Sequence, residues 1–158
     1  MLLRRADGRR YLERTRLLNT PWLRVFLHRI DTPDPGFDLH DHPWAALRIC
    51  LAGGYTEALA PTRVAHRHAG MTVDAEGRPA PTGERYRRAA PGRIGRLPKH
   101  VAHHIVEVDR PTTTLFVSWG RPRPWGFYTA NGWFPYEEHD HAARGNDLTV
   151  EGTPGRWD

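Results

Sequence analysis

The sequence predicts an all-β protein, a single β-barrel with one short helix near its N-terminus. Fifteen Gly and 14 Pro are scattered along the chain and separate short segments rich in β-branched and aromatic residues. The chain has 158 residues, of which 39% are hydrophobic, enough for one domain with its own core. Strands at short spacing without intervening helices are typical of a sandwich or closed barrel. We therefore expect one domain over 1–158, with its core at about 22–136 and a loose polar tail at about 138–158.

The elements follow from the local patterns in chain order. Residues 9–19 place three leucines among charged residues, which predicts a short helix that Pro21 would stop. Residues 22–30 are rich in β-branched and aromatic residues and are predicted to form a strand. Further strands are predicted at 37–52 with a bend at Pro43, and at 84–88, 93–97, 101–108 and 112–119. The pair Asn131 and Gly132 between aromatic flanks predicts a hairpin turn.

Charge and composition exclude several classes of protein. The net charge is +5, with 22 Arg and one Lys, but the arginines lie between acidic residues and do not cluster. We therefore expect no nucleic-acid partner. No segment approaches the roughly 18–20 apolar residues of a membrane span, and the first residues lack the apolar stretch of a signal peptide. A lone cysteine, Cys50, excludes an internal disulfide and is expected to be small and buried. The expected location is the cytoplasm.

The arrangement of the histidines predicts a metal site. His40 and His42 lie on a predicted strand just after a turn rich in Pro and Gly. Because alternate residues of a strand share a face, both imidazoles can point at one ion. A distant strand carries His100, His103 and His104. A third imidazole from that strand would complete a three-nitrogen site with open positions, which suits a catalytic first-row metal.

Three other groups of histidines are weaker candidates. His66 and His68 have the same spacing as the first pair but lie in a turn-rich stretch without apolar strand context. His139 and His141, in the tail, are expected to be solvated. His28 alternates with apolar residues and is expected to be a core histidine with a hydrogen-bond partner.

These residues resemble the motifs of the cupin superfamily. The first cupin motif is a glycine, a His-x-His pair and a later glycine, and the second is a glycine, a proline and a histidine. The matching residues here are Gly36, His40, His42, Gly53 and Gly54 for the first motif, and Gly92, Pro98 and His103 for the second. The resemblance covers roughly residues 22–120. It implies a double-stranded β-helix (jelly-roll) barrel, the metal ligands His40, His42 and His103 in preference to His104, and a homodimer.

One departure from the cupin motif leaves the ligand set open. The glutamate of the first motif would fall at position 46 or 47, which here are Ala46 and Leu47. Either three histidines bind the metal alone, as in thiol dioxygenase-like cupins, or Glu57 supplies a carboxylate from the next strand. We favour the three histidines.

Three further residues, Arg48, Tyr55 and Glu57, are candidates for catalytic roles. Strand parity turns Trp44, Ala46 and Arg48 to the same side as the histidine pair. An inward arginine needs an anion, which is either a substrate carboxylate or a salt bridge to Glu57 or Glu107. Tyr55 and Trp44 either line the pocket or pack in the core. Aromatic residues of the C-terminal third either cap the barrel mouth, form a dimer contact or pack within the hairpin; they are Trp125, Tyr128 and Trp133.

The leading functional hypothesis is a mononuclear non-heme Fe(II) oxygenase or oxidase that acts on a small carboxylate-bearing molecule. Three imidazoles on a six-coordinate iron leave room for substrate and dioxygen, and Arg48 would orient the carboxylate. The first alternative is a non-redox isomerase or lyase that uses Zn, Mn or Ni as a Lewis acid. The second is a non-catalytic module that binds a metal or ligand. The expected partners are a small-molecule substrate and a second copy of the chain.

Overall fold

The computed structural model describes residues 1–61, 72–73, 79–80, 85–99, 101–129, 132–141, 145 and 148–151. This part is almost entirely strand, with one 3₁₀ turn at Tyr136–Glu138, so the predicted all-β class is confirmed. Along the chain the strands are β1 Leu2–Arg5, β2 Arg10–Asn19, β3 Leu23–Ile30, β4 Leu39–His40, β5 Ala45–Pro61, β6 Thr72–Val73, β7 Pro79–Ala80, β8 Arg85–Ala89, β9 Ile94–Leu97, β10 Val101–Trp119, β11 Gly126–Thr129, β12 Gly132–Pro135 and β13 Leu148–Glu151. None of the described segments forms a helix with the length and hydrophobicity that a bilayer crossing requires.

Strand β10 organises the main sheet. Its first half pairs with the second half of β5 and with β4, and its second half lies between β3 and the first half of β5. The order is β12-β11-β4-β10-β3-β2-β1-β13, with β8 and β9 attached through β5, and the described pairs are antiparallel. Strands from both ends of this order line one cavity, so the sheet curls around a shared interior.

Two predicted strands, 101–108 and 112–119, are one continuous strand. The pairing of β10 with β5 shifts register at several points between Ile105 and Thr114. Such irregularities bend a strand without ending it. The bend lets β10 follow the curve of the sheet through Pro111, which the sequence pattern had indicated as a break between strands.

The predicted helix at 9–19 is wrong, because this segment is strand β2. It pairs with β3 from Leu12 opposite Ile30 to Asn19 opposite Arg24, and on its other side with β1. Hydrogen bonding to neighbouring strands on both sides outweighs the helix propensity of its leucines and arginines, since such propensities amount to less than about 1 kcal/mol per residue. The helix prediction used local composition alone, and the strand partners that decide the outcome are not visible in that window.

The predicted strand at 37–52 is interrupted at Pro43. It forms β4 as far as His40, and β5 begins at Ala45 and continues to Pro61. Proline cannot donate to the hydrogen-bond ladder, which accounts for the irregular residues 41–44. His40, His42 and Trp44 line the cavity as alternation predicts and Asp41 is buried elsewhere, although Pro43 also reaches the cavity at the break. Cys50 is fully buried in the core, as predicted.

The described parts of the tail are not loose, and the sheet extends beyond 22–136. Strand β13 pairs with β1, so both ends of the described chain belong to the sheet. His139 was expected to be solvated, but it is buried, and its Nε2 lies 2.9 Å from Asp38 Oδ2. The sequence analysis missed this buried pair because the polar residues around it in the tail predicted a solvated segment. The predicted hairpin is confirmed as β11 and β12, and residues 130–131 between them lie outside the described residues.

Replacing His139 with alanine should lower the free energy of unfolding by about 1–3 kcal/mol, since the buried Asp38 carboxylate loses a hydrogen-bond partner. The side chains of His139 and Asp38 are 1% and 0% exposed. Urea unfolding measures the effect, with Glu138→Ala, at an exposed neighbour, as the matched control. Equal stability of the two variants would show that the pair does not anchor the tail.

Candidate metal centre

Three histidines converge in the structure: the pair expected from strand parity and the third, His103, that the cupin resemblance implied. His40 on β4 lies directly opposite His103 on β10, and His42 follows two residues after His40. His42 Nε2 is 2.7 Å from His103 Nε2, and the ring centroids of His40 and His103 are 4.6 Å apart. One nitrogen from each ring lies within 4.8 Å of the others. The sheet therefore brings two sequence-distant segments to one point.

The geometry and protonation of this cluster fit a metal ion. Two nitrogens at right angles around an ion with bonds of about 2.1 Å would be roughly 3 Å apart, close to the observed separation of His42 and His103. Burial lowers the pKa of His40 to about 3, and it also holds the pKa of His42 well below its ordinary value. Both rings are therefore neutral, which is the form that binds a metal.

Glu57 lies behind His103 and not among the three rings. Its Oε2 is 3.2 Å from His103 Nδ1, on the side of the ring away from His42. A carboxylate that accepts the Nδ1 proton fixes the tautomer and leaves the Nε2 lone pair facing the cluster. The geometry therefore favours three imidazoles alone over a site with a Glu57 ligand. His104 is also outside the cluster, with its Nδ1 4.0 Å from Asp34 Oδ2.

The three residues proposed for catalysis form one buried network. Arg48 Nη1 donates to Glu57 Oε1 and to the Tyr55 hydroxyl, and Arg87 Nε donates to Glu57 Oε1 over 2.9 Å. Burial by itself would raise the pKa of Glu57, but the hydrogen bond from His103 and the charges of the two arginines lower it to about 2. Of the two roles that the sequence left open for Arg48, the structure shows the salt bridge to Glu57. Arg48 thus holds Glu57 in place behind His103.

Replacing Gly95 with alanine should displace Arg48. Gly95 on β9 lies opposite Arg48, and a Cβ at this position would be 2.2 Å from Arg48 Nη2. The guanidinium is held by Glu57 and Tyr55, so it cannot yield freely, and we expect a loss of about 1–3 kcal/mol in unfolding free energy together with weaker metal retention. Urea unfolding and metal content are the measurements. The control is Ile94→Ala, at the exposed neighbouring position, which should change neither stability nor metal content. A Gly95→Ala protein as stable as the wild type would show that Arg48 is not held tightly against β9.

A cavity of about 380 Å³ opens over the three histidines. Aromatic side chains form much of its wall: Phe26, Trp44, Phe116, Trp125, Phe127 and Tyr136. The sequence left both a pocket role and a core role open for Tyr55 and Trp44. Both side chains are buried, and both line the cavity. The space in front of the imidazoles is therefore bounded largely by apolar surface.

Several cavity residues were missed by the sequence reasoning. Arg14 lines the cavity, and its Nε donates to His28 Nε2 over 3.0 Å. Arg14 alternates with buried Leu12, a strand pattern that the helix interpretation obscured. Asp34 was assigned only to a turn, but it is buried beside His40, 3.9 Å from His40 Nδ1, and it accepts hydrogen bonds from Tyr11 and from the Ile105 amide.

Asp41 fixes the backbone between the two histidines of the pair. It is fully buried and accepts hydrogen bonds from the Gly126 amide at 2.9 Å, Tyr128 at 3.0 Å and Arg123 at 2.9 Å. Tyr128 therefore packs inside the barrel. Trp133 packs against the same hydrophobic cluster, whereas Trp125 lies at the cavity and stacks on Tyr136.

The other histidine candidates cannot be placed, because the pair at positions 66 and 68 and the histidine at position 100 lie outside the described residues.

Comparison with known proteins identifies the fold. No family model matches the chain, and no curated protein sequence matches it significantly. Among solved structures, Fe(II)-HppE matches with a TM-score of 0.51 at 14% identity, over 74% of this chain and 55% of that one. The DMSP lyase DddQ from Ruegeria pomeroyi DSS-3 matches with a TM-score of 0.50 at 18% identity, over 73% of this chain and 50% of that one. A cupin superfamily protein from Desulfitobacterium hafniense DCB-2 matches at 12% identity and a TM-score of 0.43, over 68% of this chain and 76% of that one. This chain spans about half the length of the first two proteins, and the likeness concerns the fold.

Proposed function

The chain has the cupin fold, and we propose that it is a metal-dependent enzyme in which His40, His42 and His103 hold one Fe(II) ion. Its reaction is the oxidation of a small carboxylate-bearing molecule by dioxygen. The observation that carries this proposal is the convergence of three imidazoles on one cavity, with a hydrogen-bonded carboxylate behind one of them.

The chain's own residues prepare the site for that chemistry. A bound Fe(II) would supply the redox chemistry that dioxygen requires, with open positions for a substrate. Glu57 keeps a proton on His103 Nδ1 and orients the ring. The aromatic walls lower the polarity around the imidazoles, which strengthens electrostatic interactions inside the cavity.

The protonation of the site favours oxidation over base-driven chemistry. The pKa of Glu57 is lowered to about 2, and that of Asp34 is also lowered, since the imidazoles near it and the Tyr11 hydroxyl outweigh the effect of burial. Burial and the Glu57 charge raise the pKa of Tyr55, so its hydroxyl stays protonated. A general base works best with a pKa near the operating pH, and none of these three groups meets that condition.

A non-redox lyase or isomerase with Zn, Mn or Ni is the second candidate. The same three imidazoles suit those ions. The structures that share the fold include a DMSP lyase as well as Fe(II)-HppE, and at 18% and 14% identity neither one carries its chemistry over to this chain.

Oxygen uptake separates the candidates. The protein is loaded anaerobically with Fe(II), and uptake is measured against a panel of amino acids, thiols and 2-hydroxy acids. We expect saturable uptake with one class of carboxylate, absent from His42→Ala protein and from protein loaded with Zn. Full iron occupancy without uptake from any of them would oppose the oxidase proposal, and conversion without oxygen by Zn- or Mn-loaded protein would favour the lyase or isomerase.

A further inference from the structure

A buried arginine packs on Trp44 at the edge of the cavity, and two of its guanidinium nitrogens have no hydrogen-bond partner among the described residues. Arg24 on β3 is 4% exposed, and its Nε and Nη1 atoms are buried and find no hydrogen-bond acceptor among the described residues. Removing a guanidinium from water without acceptors is costly, and buried charges are ordinarily paired. Arg24 was not singled out by the sequence, and neither the metal cluster nor the Arg48 network uses it.

Two neighbouring side chains, Trp44 and Ser118, also have a buried polar atom without a hydrogen-bond partner among the described residues. The guanidinium carbon of Arg24 lies 4.6 Å from the centre of the Trp44 ring, and Trp44 Nε1 is buried without a partner in the described part of the chain. Ser118 on β10 is directly opposite Arg24, is fully buried, and its Oγ likewise contacts no described hydrogen-bond partner. Guanidinium, indole and hydroxyl groups can all donate, so the complementary ligand is an anion with several acceptor oxygens.

This group of donors reaches the cavity through Trp44. Trp44 lines the cavity and follows His42 by two residues. Arg24 and Ser118 form one cross-strand pair, and the next pair on the same face, Phe26 and Phe116, lines the cavity wall. Two residues along a strand span about 7 Å, so an anion held at Arg24 lies within one small molecule's length of the cavity.

We propose that Arg24, Trp44 and Ser118 form an anion subsite that receives the carboxylate of the substrate. Naming the ligand as substrate rests on the function proposed above, whereas the binding of an anion stands on these donors alone. The subsite takes the role that the sequence assigned to Arg48, whose charge Glu57 already neutralises. The ligand class is an organic carboxylate whose other end reaches His40, His42 and His103.

Nuclear magnetic resonance can follow the subsite directly in metal-free protein titrated with acetate. The probe is the Trp44 indole N–H signal, assigned by its loss in Trp44→Phe. We expect a saturable shift in the wild type, an apparent affinity at least about tenfold weaker in Arg24→Gln because a charge-assisted partner is lost, and a smaller weakening in Ser118→Ala. Arg96→Gln, an exposed arginine on β9, is the matched control and should bind acetate like the wild type.

The outcomes distinguish this subsite from the metal function. His40→Ala should bind acetate normally, so acetate binding in protein that fails to take up metal or oxygen would oppose only the proposed function. No saturable shift in the wild type, or a shift that persists in both Arg24→Gln and Ser118→Ala, would overturn the subsite. A shift lost in Arg14→Gln but kept in Arg24→Gln would also overturn it, because the anion would then bind elsewhere in the cavity. Should Arg24→Gln fail to fold, Ser118→Ala alone decides.

Discussion

Replacing His42 with alanine is expected to remove the bound metal while leaving the fold intact. His42 contributes one of three imidazoles, and its Nε2 is 2.7 Å from that of His103. Losing a ligand should weaken affinity by more than the roughly 10–100-fold that loss of an outer hydrogen-bond partner costs. Metal content per chain after loading and desalting measures the effect, and thermal unfolding confirms that the variant is folded.

The matched control for His42→Ala is His104→Ala. His104 is nearly as buried as the three ligands and lies next to one of them, but its ring nitrogens are outside the cluster. We expect His104→Ala protein to keep one metal per chain. Full occupancy in His42→Ala, or loss of metal in His104→Ala but not in His42→Ala, would show that the ligand set is wrong.

Replacing Glu57 with glutamine should strongly destabilise the protein and weaken metal binding without abolishing it. Glu57 is fully buried and accepts hydrogen bonds from Arg48, Arg87 and His103. Its neutralisation leaves the buried Arg48 without a counter-charge, a change that typically costs about 3–5 kcal/mol. Metal affinity should fall about 10–100-fold, because the ring of His103 loses its charged partner. Urea unfolding and metal titration are the measurements.

Two controls sharpen the Glu57 prediction. Glu107→Gln, on the exposed side of β10, should leave stability and metal affinity unchanged. Adding Arg48→Gln to Glu57→Gln should recover part of the lost stability, since the unpaired buried charge is then removed. Complete loss of metal in Glu57→Gln would instead make the carboxylate a ligand, and a small change in stability would contradict the buried ion pair.

The lowered pKa of Glu57 predicts that the stability of the protein depends on pH. The pKa of Glu57 is about 2 in the folded protein against an ordinary 4.5, so the unfolded chain binds more protons in that interval. The stability from Glu57 is complete above pH 4.5 and is lost as the pH falls toward 2. Urea unfolding of metal-free protein across this interval should show a shallower decline for Glu57→Gln than for the wild type. Equal slopes would contradict the lowered pKa.

The metal cluster could be predicted from sequence because strand parity survived a break in the strand. His40 and His42 point the same way although the backbone between them is irregular, since Asp41 is held on the opposite side by Gly126 and Tyr128. The third ligand was proposed from a resemblance, and the antiparallel pairing of β4 with β10 is what places His103 opposite His40.

The roles of the charged residues depend on pairings that a linear pattern does not contain. Arg48 and Glu57 lie on the same strand at an odd spacing, and strict alternation would put them on opposite faces. Irregular pairing of β5 with β10 and the left-handed conformation of Gly53, with φ of 80°, bring them to one side. Arg14 reaches the cavity only because residues 10–19 pair as a strand.

The most direct test of the central claim is anomalous X-ray scattering from crystals of the iron-loaded protein. The account predicts one peak per chain within about 2.1 Å of a ring nitrogen from each of His40, His42 and His103, with Glu57 in contact only with the far side of His103. A peak elsewhere, or one coordinated by Glu57 or His104, would contradict it.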